Sequence, residues 1–215
     1  MNRFPVILSA PSGGGKTTIA LRLIEVRGDV GYSVSCTTRP PRGDEVEGQD
    51  YYFLSTGEFL QRQQRGEFAE SAEVHGNLYG TLRSEVERVL KLGHHVIMDI
   101  DVQGAMQFRS AFPESVLVYV LPPSGEVLLD RLRGRGTETK DTLKRRLLSA
   151  LVELQAVQRY QYVVVNDDQN RAAASVSRII DAEGLRRERL QNVERDVRSI
   201  IERLELELDT QSEDH

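Results

Sequence analysis

The chain has 215 residues (24.3 kDa), 39% hydrophobic and 28% charged, with a mean hydropathy of -0.40. This excludes membrane and fibrous classes and leaves room for one or two domains with cores that need no disulfide or metal. The net charge of -5 argues against a general nucleic-acid binder, and Cys36, the lone cysteine, excludes an intrachain disulfide or a cysteine-based zinc site.

Phe4–Ser9 predicts a buried strand. Its apolar run is shorter than the ~7–15 residues of a signal-peptide core or the ~20 of a spanning helix, so the expectation is a cytoplasmic protein with no membrane partner. A helix is expected over Thr17–Val26. Ser33–Phe53, with Pro40, Pro41, Gly43 and Gly48 among charges, reads as short strands and turns inserted in a larger frame. Leu82–Leu92 is helical by its apolar spacing, and Gly93 stands just past its end. Val96–Asp101, Val116–Leu121 and Tyr162–Val165 predict further buried strands. Ser124 can cap a helix through Leu132, Gly134–Asp141 is a charged loop, and Leu143–Tyr160 is a long helical candidate. Strands and helices that alternate in this way predict an α/β fold on a parallel sheet. Beyond Ala172 the chain reads as helix with one weak point at Gly184. Leu190, Val193, Val197, Ile201, Leu204 and Leu208 make an apolar stripe, which predicts burial in a homodimer or on the core.

Ala10-Pro-Ser-Gly-Gly-Gly-Lys16-Thr17 matches the phosphate-loop spacing with Ala10 in place of the first glycine, and it stands between a strand and a helix. Its glycines let successive N–H groups turn toward phosphate oxygens, and the helix adds the positive end of its dipole. Ser12, Gly13, Gly14, Gly15, Lys16, Thr17 and Thr18 are candidate ATP ligands. Asp99, near a strand end, pairs with Thr17 as a candidate Mg²⁺ group, with Asp99 acting through water. In the insertion, Arg39 and Arg42 flank two prolines and can clamp a phosphate beside Tyr51 and Tyr79. Glu70 and Asp101 can accept from a base edge. Among the histidines, His75 is nearest this lobe. None is at metal-ligand spacing.

In family order, Ser33–Arg42 with Gly48–Phe53, Gly66–Glu70, Gly76–Thr81, Asp99–Gly104, Pro122–Ser124, Gly134–Glu138, Arg145–Leu147 and Val165–Asp167 strongly resemble guanylate kinase, over residues 3–185. The resemblance implies a P-loop NTPase three-layer core (3–32, 96–123, 157–185), a GMP-binding lobe (33–95), a mobile lid (124–156) and a helical extension (186–215). It implies ATP and Mg²⁺ as donor and cofactor, and GMP, with dGMP, as acceptor. By position Arg39, Arg42, Tyr51 and Tyr79 resemble its GMP phosphate ligands, and Ser35, Glu70, Thr81 and Asp101 its guanine ligands. Arg131, Arg135 and Arg146 resemble its lid arginines, and Asn166 its adenine-side residue. Lys16, Arg39, Arg135 and Arg146 would be catalytic. Two other classes share parts of this pattern. A non-catalytic scaffolding module typically has a degraded loop, whereas Lys16, Thr17 and Asp99 are intact here. A kinase for another small phosphate would not need Glu70, Thr81 and Asp101 together.

Overall fold

A computed structural model describes residues 2–74, 76–133 and 140–213. The main sheet is parallel throughout, in the order β2 (Val30–Tyr32), β7 (His95–Asp99), β1 (Pro5–Ser9), β8 (Val116–Leu121), β9 (Tyr162–Val165). β1 and most of its neighbours are buried on both faces, which explains their unbroken apolar runs. A second sheet runs β4 (Tyr51–Phe53), β3 (Ser35–Thr37), β6 (Asn77–Leu82), β5 (Phe68–Val74). Its β3–β4 pair is parallel and the rest antiparallel.

Helices α1 (Lys16–Val26) and α3 (Arg83–Lys91) fall where the apolar spacing puts them. α3, α4 (Val102–Ala111) and the sheet enclose a core of Ile7, Val86, Val96, Met98, Phe108 and Leu117, which Ala69 of the second sheet joins. α5 (Gly125–Arg133) and α6 (Lys140–Gln155) share a separate apolar cluster around Leu128, Leu132 and Ala150. Ser124 Oγ accepts from Val127 N–H at 3.3 Å, as its capping role requires.

Four readings need correction. The main sheet has a fifth strand, β2, whose three residues include a glycine and carry too little apolar pattern to stand out. α2 (Thr56–Gln64) buries only Phe59, so its apolar periodicity is faint, although a capping box between Ser55 and Glu58 marks its start. The strand expected to end at Asp101 ends at Asp99, and Asp101 is the N-cap of α4. The C-terminal helix is not continuous: α7 (Gln169–Gly184) stops, a 3₁₀ turn covers Arg187–Arg189, and α8 (Val193–Glu213) starts after Asn192, at φ 67°. Leu190 is therefore not on the helix that carries the stripe.

The chain divides into two compact units, Arg3–Ile179 and the segment from Ile180 with Asn2. In the second, Glu183 pairs with Arg189 at 3.2 Å and Arg186 at 3.5 Å. Val197, Ile200, Ile201, Leu204 and Leu208 of α8 are all exposed.

Candidate active site

β1 is central, and the chain leaves its carboxyl end into the glycine loop, where sheets of this class bind ligands. Gly14 N–H closes a turn onto Pro11 O at 2.8 Å, and Gly13 and Gly15 have φ of 81° and 85°. Space as well as torsion demands glycine: a Cβ on Gly14 would meet Ala10 Cβ at 2.5 Å, and one on Gly15 would meet Asn166 Nδ2 at 2.5 Å. α1 has no side-chain cap, so its first-turn N–H groups stay available to an anion. Lys16, its first residue, has no ion pair with a described residue, and Thr18 is exposed.

Thr17 Oγ1 donates to Asp99 Oδ2, and Tyr32 Oη donates to Asp99 Oδ1 at 2.5 Å. Two hard oxygens 82 residues apart in sequence thus meet at the mouth of the loop. Mg²⁺ uses few protein oxygens and takes the rest from phosphates and water, so this pair fits the ion.

Three side chains brace the loop. Asn166, buried, donates from Nδ2 to Gly14 O at 2.9 Å, while its Oδ1 has no partner. Arg131 donates from Nη2 to Asn166 O at 3.3 Å and keeps a buried Nη1 without a partner. Such an orphan guanidinium N–H is costly, and an arriving anion would satisfy it. Arg146 is buried, with Nη1 on Leu132 O at 2.8 Å and Nη2 3.5 Å from Ser12 Oγ. Ser12 N–H donates to Glu153 Oε2 at 2.9 Å. Glu153 was missed, and a glutamate on a charged helix gives no sequence signal for this role. Arg135 and His75 lie outside the described residues.

In the second sheet, Ser35, Thr81 and Glu70 lie side by side across β3, β6 and β5. Glu70 opposes Thr81, and the pairing of Cys36 with Gly80 sets Ser35 beside Thr81. A β-bulge makes this possible. Phe68 opposes Leu82 and Glu70 opposes Thr81, so one extra residue, Ala69, turns Glu70 to the face opposite Phe68. Phe68 then packs with Cys36, Phe59 and Leu82, while Glu70 faces the site. Thr81 Oγ1 donates to Glu70 Oε1 at 2.7 Å. Burial pushes the Glu70 carboxyl up to about 7; the Thr81 hydrogen bond opposes this and the charge of Asp101 adds to it. Gly104 lets α4 approach: a Cβ there would lie 2.7 Å from Glu70 Oε2 and 3.5 Å from Asp101 Oδ1. Asp101 Oδ1 caps α4 through the N–H groups of Gln103 and Gly104, at 2.8 and 2.7 Å.

Arg39 is buried under Tyr51, its guanidinium carbon 5.0 Å from the ring centroid, with the Tyr79 hydroxyl as a further partner. Both its Nη atoms donate to Glu45, at 2.6 Å each. The hydrogen bond from Arg39 holds the Glu45 carboxyl down at about 2. A carboxylate thus fills a guanidinium fork whose shape equally suits a phosphate. Arg42 is exposed and gives its backbone N–H, not its side chain, to Glu45, at 2.9 Å. Arg39, Tyr51 and Tyr79 come together; the expected Arg39–Arg42 clamp does not form here. Burial pushes the Cys36 thiol up to about 12, so it is an inert core residue.

A family model described as guanylate kinase matches residues 2–183. Among curated relatives, the guanylate kinase of Nitrosomonas europaea is 45% identical over 180 residues, covering 84% of this chain and 90% of the relative. That of Myxococcus xanthus is 46% identical over 186 residues, covering 86% and 89%. The crystal structure of guanylate kinase from Anaplasma phagocytophilum superposes with a TM-score of 0.75 at 34% identity, over 92% of this chain and 94% of that one.

Proposed function

This chain belongs to the guanylate kinase family and transfers a phosphoryl group from ATP to GMP, and we propose the following division of labour among its residues. The glycine loop from Ser12 to Thr18 receives the ATP phosphates on its backbone N–H groups and on Lys16. Arg131 closes on the same phosphates through its unpaired Nη1, with Asn166 holding loop and adenine side in register. Arg146 and, by its place in the sequence, Arg135 belong to the segment 124–156, which acts as a lid over the core formed by 3–32, 96–123 and 157–185. Thr17 and, through water, Asp99 would hold Mg²⁺, which when bound would neutralise phosphate charge.

The lobe from 33 to 95 takes the acceptor. Arg39, Tyr51 and Tyr79 hold the GMP phosphate, Arg42 swings in from solvent, and Ser35, Thr81, Glu70 and Asp101 read guanine. The GMP phosphate is already ionised near neutral pH, its second pKa being ~6, so the chain needs no general base. The protein aligns the two phosphates and excludes water, which would otherwise take the phosphoryl group. dGMP, which presents the same base and phosphate, is a second acceptor. The observation that carries this assignment is the buried Glu70, turned by a bulge to meet Thr81 and Asp101. A coupled assay with GMP, dGMP, AMP and no acceptor tests it: turnover with GMP and dGMP alone supports it, and equal turnover with AMP contradicts it.

Assembly and place complete the reading. No described helix is long and apolar enough to cross a membrane, and the lone buried thiol suits a reducing cytoplasm. We place a second copy of the chain against α8. The C-terminal half of this helix carries Glu205, Glu207 and Asp209 with no basic residue, whereas the other half balances Arg195, Arg198 and Arg203 with Glu194, Asp196 and Glu202. Pairing would bury the exposed Val197, Ile201, Leu204 and Leu208 of both copies.

A further inference from the structure

Tyr32 belongs to none of the ligand groups above, yet its hydroxyl is committed to Asp99. It is the last residue of β2, the edge strand, paired with Ile97 two residues before Asp99 on β7. That register carries the phenol to the carboxyl edge of the sheet, where it donates to Oδ1 while Thr17 donates to Oδ2. We propose that Tyr32 is a positioning residue for the divalent cation: its hydroxyl fixes the plane of the Asp99 carboxylate, which with Thr17 would hold the ion. The proposal rests on the reading of Thr17 and Asp99 as the cation group.

A carboxylate held by one donor still turns about its terminal bond; donors on both oxygens stop it. The Thr17 hydroxyl must give its proton to Asp99 and a lone pair to the ion, so it cannot orient the carboxylate alone. Partners of metal-bound carboxylates commonly change metal affinity ~10–100-fold when removed.

The test is calorimetry of β,γ-imido-ATP binding to the whole protein, with Mn²⁺ and with chelator. The factor by which Mn²⁺ tightens binding is the readout, and a residue that only fills space would not move it. In Tyr32→Phe the factor should fall by about tenfold, and the half-saturating Mg²⁺ for turnover should rise in step. Tyr51→Phe should weaken GMP and leave the factor alone. Asp99→Asn should abolish most of it, and adding Tyr32→Phe to Asp99→Asn should cost nothing more, since both act through one carboxylate. A factor within about twofold of the wild type in Tyr32→Phe, with Asp99→Asn defective, overturns the role of Tyr32 alone. No loss in either variant overturns the cation reading with it.

Discussion

The two halves of the site are built by different means. The ATP cradle is made of backbone: glycine torsions, an uncapped helix start and side chains that brace main-chain atoms. The acceptor lobe is made of side chains, and two of its charged groups engage other side chains of the lobe. Arg39 holds Glu45, and Glu70, buried beside Thr81, sits near neutrality. A backbone site is ready for any triphosphate and offers little choice between bases. A side-chain site depends on the pairing and charge of its groups, and in the proposed assignment selectivity arises there.

Four perturbations separate these halves. The largest effect belongs to the cradle: Lys16→Met should fold normally and lose on the order of 10²–10³ in turnover, because one preorganised charge on the moving phosphoryl group is gone. Stopped-flow assay of the soluble variant checks it, and turnover within about threefold of wild type removes Lys16 from the chemistry.

pH probes the lobe. The Glu70 carboxyl lies above its ordinary value, so the folded protein binds more protons than the unfolded chain between about 4.5 and 7. Stability from this group is therefore present at low pH and declines as pH rises through that window. In the proposed site guanine binds the ionised carboxylate, so KM for GMP should rise by up to about tenfold per unit as pH falls below 7. KM for ATP should not follow it. Parallel profiles for both substrates would place the titration elsewhere.

Gly104→Ala sharpens the geometry. The new methyl would crowd Glu70 Oε2, at 2.7 Å, and overpacking of about 1–3 kcal/mol should lower kcat/KM for GMP roughly tenfold while sparing ATP. The smallest effect should come from truncation after Gly184. It removes α8, and GMP phosphorylation should stay within about twofold, since no assigned ligand lies there. Light scattering should show the mass per particle fall from a dimer to a monomer.

The same division explains what the sequence makes legible. The glycine loop is a local pattern, read from eight consecutive residues, and its flanking strand and helix stand out by apolar spacing. The acceptor residues are visible by kind and by resemblance, but their arrangement is not. The Ala69 bulge that turns Glu70 depends on strand pairing, and pairing is a property of two segments at once. Glu45 and Tyr32 carry no motif; only the folded chain brings one into the Arg39 fork and the other onto Asp99. Asp101 shows a further limit, since a strand-end aspartate and a helix cap look alike until the backbone turns.

The central claim is that Glu70 and Asp101 read the base. Ionised carboxylates accept only; they match the N1–H and N2–H₂ donors of guanine and face the N1 lone pair of adenine. kcat/KM for GMP and AMP, on the wild type and on Glu70→Ala, measures this directly. The wild type should prefer GMP by at least ~10³, and Glu70→Ala should lose most of that gap. Comparable use of AMP by the wild type, or a gap untouched by the substitution, would contradict it.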